Sequence, residues 1–170
     1  GKAAGVKGRC EVVPTGRDFT VVIDYAHTPD GLEKICGALR ECKTGRLVTV
    51  FGCGGDRDKT KRPKMGKAAA ALSDFLVVTS DNPRSEDPQA IIDDILAGLA
   101  DSKTPYTVVA NRVEAIRWAI HNAKSGDTIL LAGKGHETYQ VLRDGIVHLD
   151  EREVVAEALA QMAPAASADE

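Results

Sequence analysis

Apolar residues along the chain fall into short continuous runs, separated by longer stretches in which they recur every three or four positions. Residues 19–23, 47–51, 75–79, 106–109 and 127–132 are the continuous runs. Runs of that length, apolar on both faces, read as buried strands of a parallel sheet. Between them, Leu32, Ile35, Ala38 and Leu39 lie at helical spacing, as do Ile91, Ile92, Ile95 and Leu96, and then Val113, Ile116, Ala119 and Ile120. A further helix is expected over 64–72 with Pro63 at its start. Thr28-Pro29 offers an N-cap and a first helical residue. Asp144-Gly145, between apolar segments at 139–142 and 146–149, is a strong hairpin signal, and a closing helix is expected over 154–162. Strand and helix alternate five times. The expected fold class is therefore α/β: a Rossmann-like, mostly parallel sheet with helices on both faces. The C-terminal hairpin is expected to add an antiparallel edge.

Composition narrows the function. A length of 170 residues suits one domain. Aromatic residues are 4% of the chain, too few for a surface that stacks nucleic-acid bases. A net charge of -3 with both signs interspersed argues against nucleic-acid and anionic-lipid partners. No apolar run reaches membrane-spanning length, and the start does not read as a signal peptide. Cys10, Cys36, Cys42 and Cys53 form no C-x-x-C pair and have no histidine at zinc spacing. They read as free thiols of a cytoplasmic protein, and no metal site is expected. Residues 1–18 are a ragged mixture that reads as the end of something upstream, and residues 164–170 as a disordered tail.

Polar loops follow the strands, and in an open α/β sheet ligands bind at the carboxyl ends of the strands. Asp81-Asn82-Pro83-Arg84 follows one of them, with Pro83 fixing a backbone torsion between the amide and the guanidinium. The glycine-rich loop at 52–59 carries Arg57 where a dinucleotide fingerprint needs its third glycine, which weighs against a nicotinamide enzyme. Its glycines are expected to let backbone approach a ligand closely. Gly133-Lys134-Gly135-His136-Glu137 lacks the Ser or Thr of a phosphate loop. Together these loops offer Arg57, Asp81, Asn82, Arg84 and Glu137. Two guanidiniums can grip a carboxylate through paired hydrogen bonds, and two carboxylates can hold an ammonium. The set suits a zwitterion, that is, an amino-acid head group. No nucleophile stands beside a base, so no catalytic residue is assigned. His121 and His148 read as structural hydrogen-bonding residues.

The segments Asp24-Tyr25-Ala26-His27-Thr28-Pro29, Phe51-Gly52-Cys53-Gly54-Gly55-Asp56-Arg57-Asp58, Asp81-Asn82-Pro83-Arg84 and Gly133-Lys134-Gly135-His136-Glu137 closely resemble the C-terminal domain of the Mur ligases. The likeness runs from about Gly8 to the closing helix and is strongest to members that add meso-diaminopimelate. It implies an ATP-dependent amide ligase of bacterial cell-wall synthesis acting on UDP-N-acetylmuramoyl-L-alanyl-D-glutamate. It implies that Arg57, Asp81, Asn82, Pro83, Arg84, Gly133 and Glu137 contact diaminopimelate. Arg84 and Asn82 would hold the carboxylate remote from the reacting amine, and Asp81 and Glu137 an ammonium. Arg9 would reach ATP phosphate, Asp24 the ribose, and His27 the neighbourhood of the nucleotide. By the same resemblance, ATP and Mg2+ are held mainly by a central domain, and the uridine nucleotide by domains other than this one. Residues 1–9 then end the linker from that central domain, and 10–163 form the domain itself. The chain alone is expected to fold without catalysing. The rival reading is an amino-acid-binding module with no chemistry of its own.

Overall fold

A computed structural model describes residues 9–42 and 44–164. In chain order the elements are β1 (Glu11–Val13), β2 (Thr20–Asp24), α1 (Pro29–Cys42), β3 (Leu47–Phe51), α2 (Lys61–Leu72), β4 (Phe75–Val78), α3 (Pro88–Ala97) and β5 (Tyr106–Val108). They are followed by α4 (Arg112–His121), β6 (Thr128–Ala132), β7 (Tyr139–Leu142), β8 (Gly145–His148) and α5 (Glu151–Ala160). Six strands form one sheet in the order β1-β2-β6-β3-β4-β5. β2, β6, β3, β4 and β5 are parallel, and β1 runs antiparallel to β2.

Four of the five continuous apolar runs have the burial they imply; β5, at the edge of the sheet, does not, and its Tyr106 is exposed. Every residue of β3 and β6, the two central strands, is buried. Alternate residues of a strand point to opposite faces, so each run feeds two cores. Val22, Leu76 and Leu130 pack on one face with Leu32 and Ile35 of α1, Met65 of α2 and Ile92 of α3. Ile23, Val50 and Leu131 pack on the other with Ile116 of α4 and Val155 of α5. The helix starts follow their caps. Thr28 accepts from the Gly31 N–H at 3.0 Å, Asp87 from Gln89, and Asp150 from Arg152. α2 starts at Lys61, before the expected position, because Pro63 sits inside the first turn, where its missing N–H costs nothing.

The edges depart from expectation. The hairpin forms, but β7 and β8 make a separate two-stranded sheet, and β1 is the antiparallel edge of the main one. β1 carries no alternation that betrays it: Val12 is 55% exposed. It is secured by pairing with β2 and by a bidentate contact between Glu11 and Arg152 of α5 at 2.6 and 2.9 Å. Most of the expected linker, and all but one residue of the expected tail, lie outside the described residues. The four cysteines are free thiols. His121 bonds the Ala158 carbonyl at 2.9 Å and His148 the Glu153 carboxylate at 2.8 Å, both structural roles.

Candidate functional site

The carboxyl ends of β2, β3, β4 and β6 lie side by side, and the polar loops that follow them converge there. A cavity of about 340 Å³ is lined by Gly52, Gly54, Arg57 and Asp58 after β3, by Asp81, Asn82 and Arg84 after β4, and by Gly133 and Glu137 after β6. A second cavity of about 600 Å³ adjoins it, between the loop after β2 and α1. Tyr25 and His27 line both and form the wall they share. The Tyr25 ring sits 4.6 Å from that of His27 and 5.9 Å from that of His136. His27 Nδ1 lies 2.9 Å from the Tyr25 carbonyl, which accepts from it.

The loops after β3 and β4 are stitched together. The Gly55 N–H donates to the Asn82 carbonyl at 2.8 Å, and Arg84 Nη1 donates to the Gly55 carbonyl at 3.0 Å. The Asp56 carboxylate accepts from the hydroxyl and N–H of Ser85, while the Asp56 N–H donates to Glu86 at 2.6 Å. Arg62, buried at the start of α2, grips Glu86 with both Nη atoms and reaches the Gly54 carbonyl. These contacts, Arg62 foremost, hold the Glu86 carboxyl down at about 2.

This stitching revises the expectation for the glycines. A Cβ on Gly52 would stand 2.3 Å from the Thr79 carbonyl oxygen, and one on Gly55 would stand 1.8 Å from that of Pro83. Their lack of a side chain serves close approach to the neighbouring loop, and Gly52 also lines the cavity. Arg84 has a left-handed backbone, φ 51°, which a non-glycine residue adopts only when its surroundings enforce it. Here they do: its N–H donates to the Val141 carbonyl of β7 at 3.1 Å. The hairpin that does not join the sheet clasps this loop instead. Gln140 donates to the Asp81 carbonyl, and Arg143 to that of Ser85.

Two buried cations, which reading along the sequence passed over, organise the site. Lys134 Nζ, fully buried, donates to Asn82 Oδ1 and to the Tyr139 carbonyl, each at 2.9 Å. It lies 3.3 Å from Asp81 Oδ1 and 3.7 Å from Glu137 Oε1. Burial lowers its pKa, opposed by the two carboxylates. The Val141 N–H also donates to Asn82 Oδ1 at 2.9 Å, so two donors fix which end of the amide points inward. The Asn82 oxygen is therefore part of the scaffold. Arg112, at the start of α4, is the second cation. It donates to Glu151 of α5 at 2.8 Å, to the Ser80 carbonyl at 3.0 Å and to the Ala132 carbonyl at 2.9 Å. Those carbonyls belong to the mouths of β4 and β6, where the site loops begin. Burial opposes the Arg112 charge, but Glu151 and Asp81 outweigh it and its pKa rises. Signals for both lay in the sequence: a lysine between two glycines after a strand, and an arginine opening an apolar helix. Neither states which carbonyls it serves. Cys53 lines the cavity, but burial first, and Asp81 next, push its thiol up to about 12, so it is not a nucleophile.

The residues expected to bind a ligand thus sort clearly. Arg57, Asp81, Asn82, Arg84, Gly133 and Glu137 line one cavity, with Pro83 packed behind on Gly55. Arg57 is exposed, and its Nη1 donates to the Asp56 carbonyl at 2.9 Å. Arg9, Asp24 and His27 line the other cavity, together with Lys34 and an apolar floor that includes Ile35 and Ala38. The Asp24 oxygens accept the N–H groups of Cys10 at 2.7 Å and Ala26 at 2.9 Å. Each keeps a second lone pair for a hydroxyl. Cations, a carboxylate and an apolar floor are the groups a nucleotide would engage. Among the described residues no cluster of His, Cys, Asp or Glu is suited to a metal ion, and no helix is long and apolar enough to cross a membrane.

Fold and cavities together define an α/β domain that offers both signs of charge to a ligand at the carboxyl edge of its sheet. Residues 8–135 match the model of the family described as Mur ligase, glutamate ligase domain, and the chain belongs to that family. It is 57% identical over 156 residues to a UDP-N-acetylmuramoyl-L-alanyl-D-glutamate--2,6-diaminopimelate ligase of Caldanaerobacter subterraneus subsp. tengcongensis, covering 92% of this chain and 32% of that protein. It is 56% identical over 158 residues to the ligase of the same name from Gloeobacter violaceus, covering 92% and 32%. A solved structure of a ligase of that name superposes with a TM-score of 0.84 at 38% identity, over 91% of this chain and 32% of that one. FolC of E. coli in complex with ADP shares the fold, with a TM-score of 0.56 at 22% identity over 75% of this chain and 28% of that one. The chain spans about a third of the length of the curated relatives it matches.

Proposed function

We propose that the chain is the diaminopimelate-binding domain, and part of the ATP-binding surface, of a ligase that joins meso-diaminopimelate to UDP-N-acetylmuramoyl-L-alanyl-D-glutamate in cell-wall precursor synthesis. The observation that carries this reading is one cavity lined by Arg57, Arg84, Asp81 and Glu137, drawn from the ends of three strands. The names of the relatives at 56–57% identity support the choice of substrates.

In such a reaction ATP phosphorylates the glutamate carboxylate, the diaminopimelate amine attacks the acyl phosphate, and phosphate leaves. The work of this chain is binding and orientation. Arg84, with one Nη held on Gly55, presents its remaining donors to the distal carboxylate of diaminopimelate, and Asp81 and Glu137 take the distal ammonium. Holding that end at two points aims the other amine, and orientation of this kind is a large part of catalysis. Arg9, Asp24 and His27 contact the nucleotide in the adjoining cavity. The phosphate loop, Mg2+ and the uridine nucleotide are assigned to the rest of the ligase, and the reaction to the bacterial cytoplasm.

The test is titration calorimetry with meso-diaminopimelate and with L-lysine, which lacks the distal carboxylate. One charge-assisted contact contributes about 1.5–3 kcal/mol, so lysine should bind about 10- to 150-fold more weakly. Arg84→Ala should erase that difference. Equal affinity for the two amino acids would reject the reading. Phosphate release by the isolated chain, supplied with ATP and both acceptor substrates, should stay at background.

A further inference from the structure

We infer that Lys134 is a built-in counter-ion that keeps Asp81 and Glu137 both ionised in the unliganded cavity, so that the pair is ready to accept a ligand ammonium. The inference rests on the proposed role of those acids in holding the distal ammonium of diaminopimelate.

Two carboxylates that share a buried site cannot both stay charged unless something compensates them; otherwise one takes up a proton. The Lys134 ammonium lies within 3.7 Å of both and has no exposure of its own. Its two short hydrogen bonds, at 2.9 Å, go to neutral acceptors, Asn82 Oδ1 and the Tyr139 carbonyl. Its approach to the carboxylates is looser, at 3.3 and 3.7 Å, and buried Asp81 Oδ1 accepts no hydrogen bond from the protein. Lys134 therefore supplies charge to the acids while leaving their lone pairs open. The Asn82 and Tyr139 contacts also hold it in place, so it cannot swing out when a second cation arrives. The charged groups around it are Asp81 after β4, Glu137 after β6, Arg112 on α4 and, behind Arg112, Glu151 on α5. These innermost groups are three acids against two bases, one negative charge in excess, while Arg57, Asp58, Lys61 and Arg84 line the more open part of the same cavity and are common to wild type and variants. His27 and His136, beside Tyr25, are the nearby histidines.

The test compares wild type with Lys134→Met and Lys134→Gln, titrated with meso-diaminopimelate in two buffers of different ionisation enthalpy from about pH 5.5 to about 8. Histidine contributions are common to all three proteins. In the variants one acid carries a proton before binding, and the ligand must expel it. They should release up to one proton more than wild type, and their affinity should fall about tenfold further for each pH unit of acidification. A merely structural lysine would lower stability or affinity without adding a proton. Variants with the proton linkage of wild type would overturn the inference. A measurement on wild type guards against misfolded variants: carbon NMR of the Asp81 and Glu137 carboxyls without ligand. Both should remain ionised through that range, and a proton on either at neutral pH would also overturn it. A wild-type chain that takes no diaminopimelate refutes the proposed substrate, while the NMR titration still decides the role of Lys134.

Discussion

Replacing Arg112 with methionine should be among the most damaging single changes available to this domain. Methionine fills similar space but donates nothing. Glu151, fully buried, would lose the cation it pairs with among the described residues, while its Oε1 already lacks a hydrogen-bond partner there. Breaking a buried pair from one side costs about 3–5 kcal/mol. The Ser80 and Ala132 carbonyls would each lose a donor as well, at roughly 1–3 kcal/mol if no water reaches them. A loss of at least about 4 kcal/mol follows, a large share of the 5–15 kcal/mol typical of a domain. With a urea dependence of about 2 kcal/mol per M, the unfolding midpoint should fall by about 2 M, read by circular dichroism. The double change Arg112→Met with Glu151→Leu removes the stranded charge and leaves only the two carbonyls in need. It should regain about 2 kcal/mol or more over the single variant. A single variant that loses less than about 1 kcal/mol, or a double variant no more stable than the single, would refute the assignment of this pair as the brace behind the site.

Two further outcomes follow from the stitched loops. Gly55→Ala places a methyl 1.8 Å from the Pro83 oxygen, so one loop must move by about 1 Å or more. The variant should stay folded yet bind diaminopimelate at least about 10-fold more weakly by calorimetry, and undiminished affinity would contradict the packing role of that glycine. Glu86, whose carboxyl is lowered from 4.5 to about 2 by Arg62 and the Asp56 N–H, contributes stability that is fully present above about pH 4.5 and lost as pH falls toward 2. Thermal melts of Glu86→Gln against wild type should therefore differ at neutral pH and converge with acidification. A constant difference across that window would show that the depressed carboxyl plays no part.

Much of the architecture is legible one residue at a time. The five apolar runs at 19–23, 47–51, 75–79, 106–109 and 127–132 match β2 to β6 to within a residue; in β3 and β6, burial on both faces leaves polar side chains nowhere to go, whereas edge strand β5 is legible by its β-branched and aromatic residues alone. The loops carrying Arg57, Asp81, Arg84 and Glu137 were legible too, since charge after a buried strand has few structural uses. What local pattern could not supply was pairing across distance. β1 is a strand because β2 and Arg152 receive it, not because its own residues alternate. The hairpin signal at Asp144-Gly145 held, but whether β7 joins the sheet or clasps the Asp81–Arg84 loop depends on hydrogen-bond partners more than fifty residues away. Lys134 and Arg112 look like ordinary surface charges until the fold buries them against carbonyls of other strands. Hydrophobic periodicity is a property of neighbours along the chain. The compensation of a buried charge is a property of whatever the completed fold brings within about 4 Å of it.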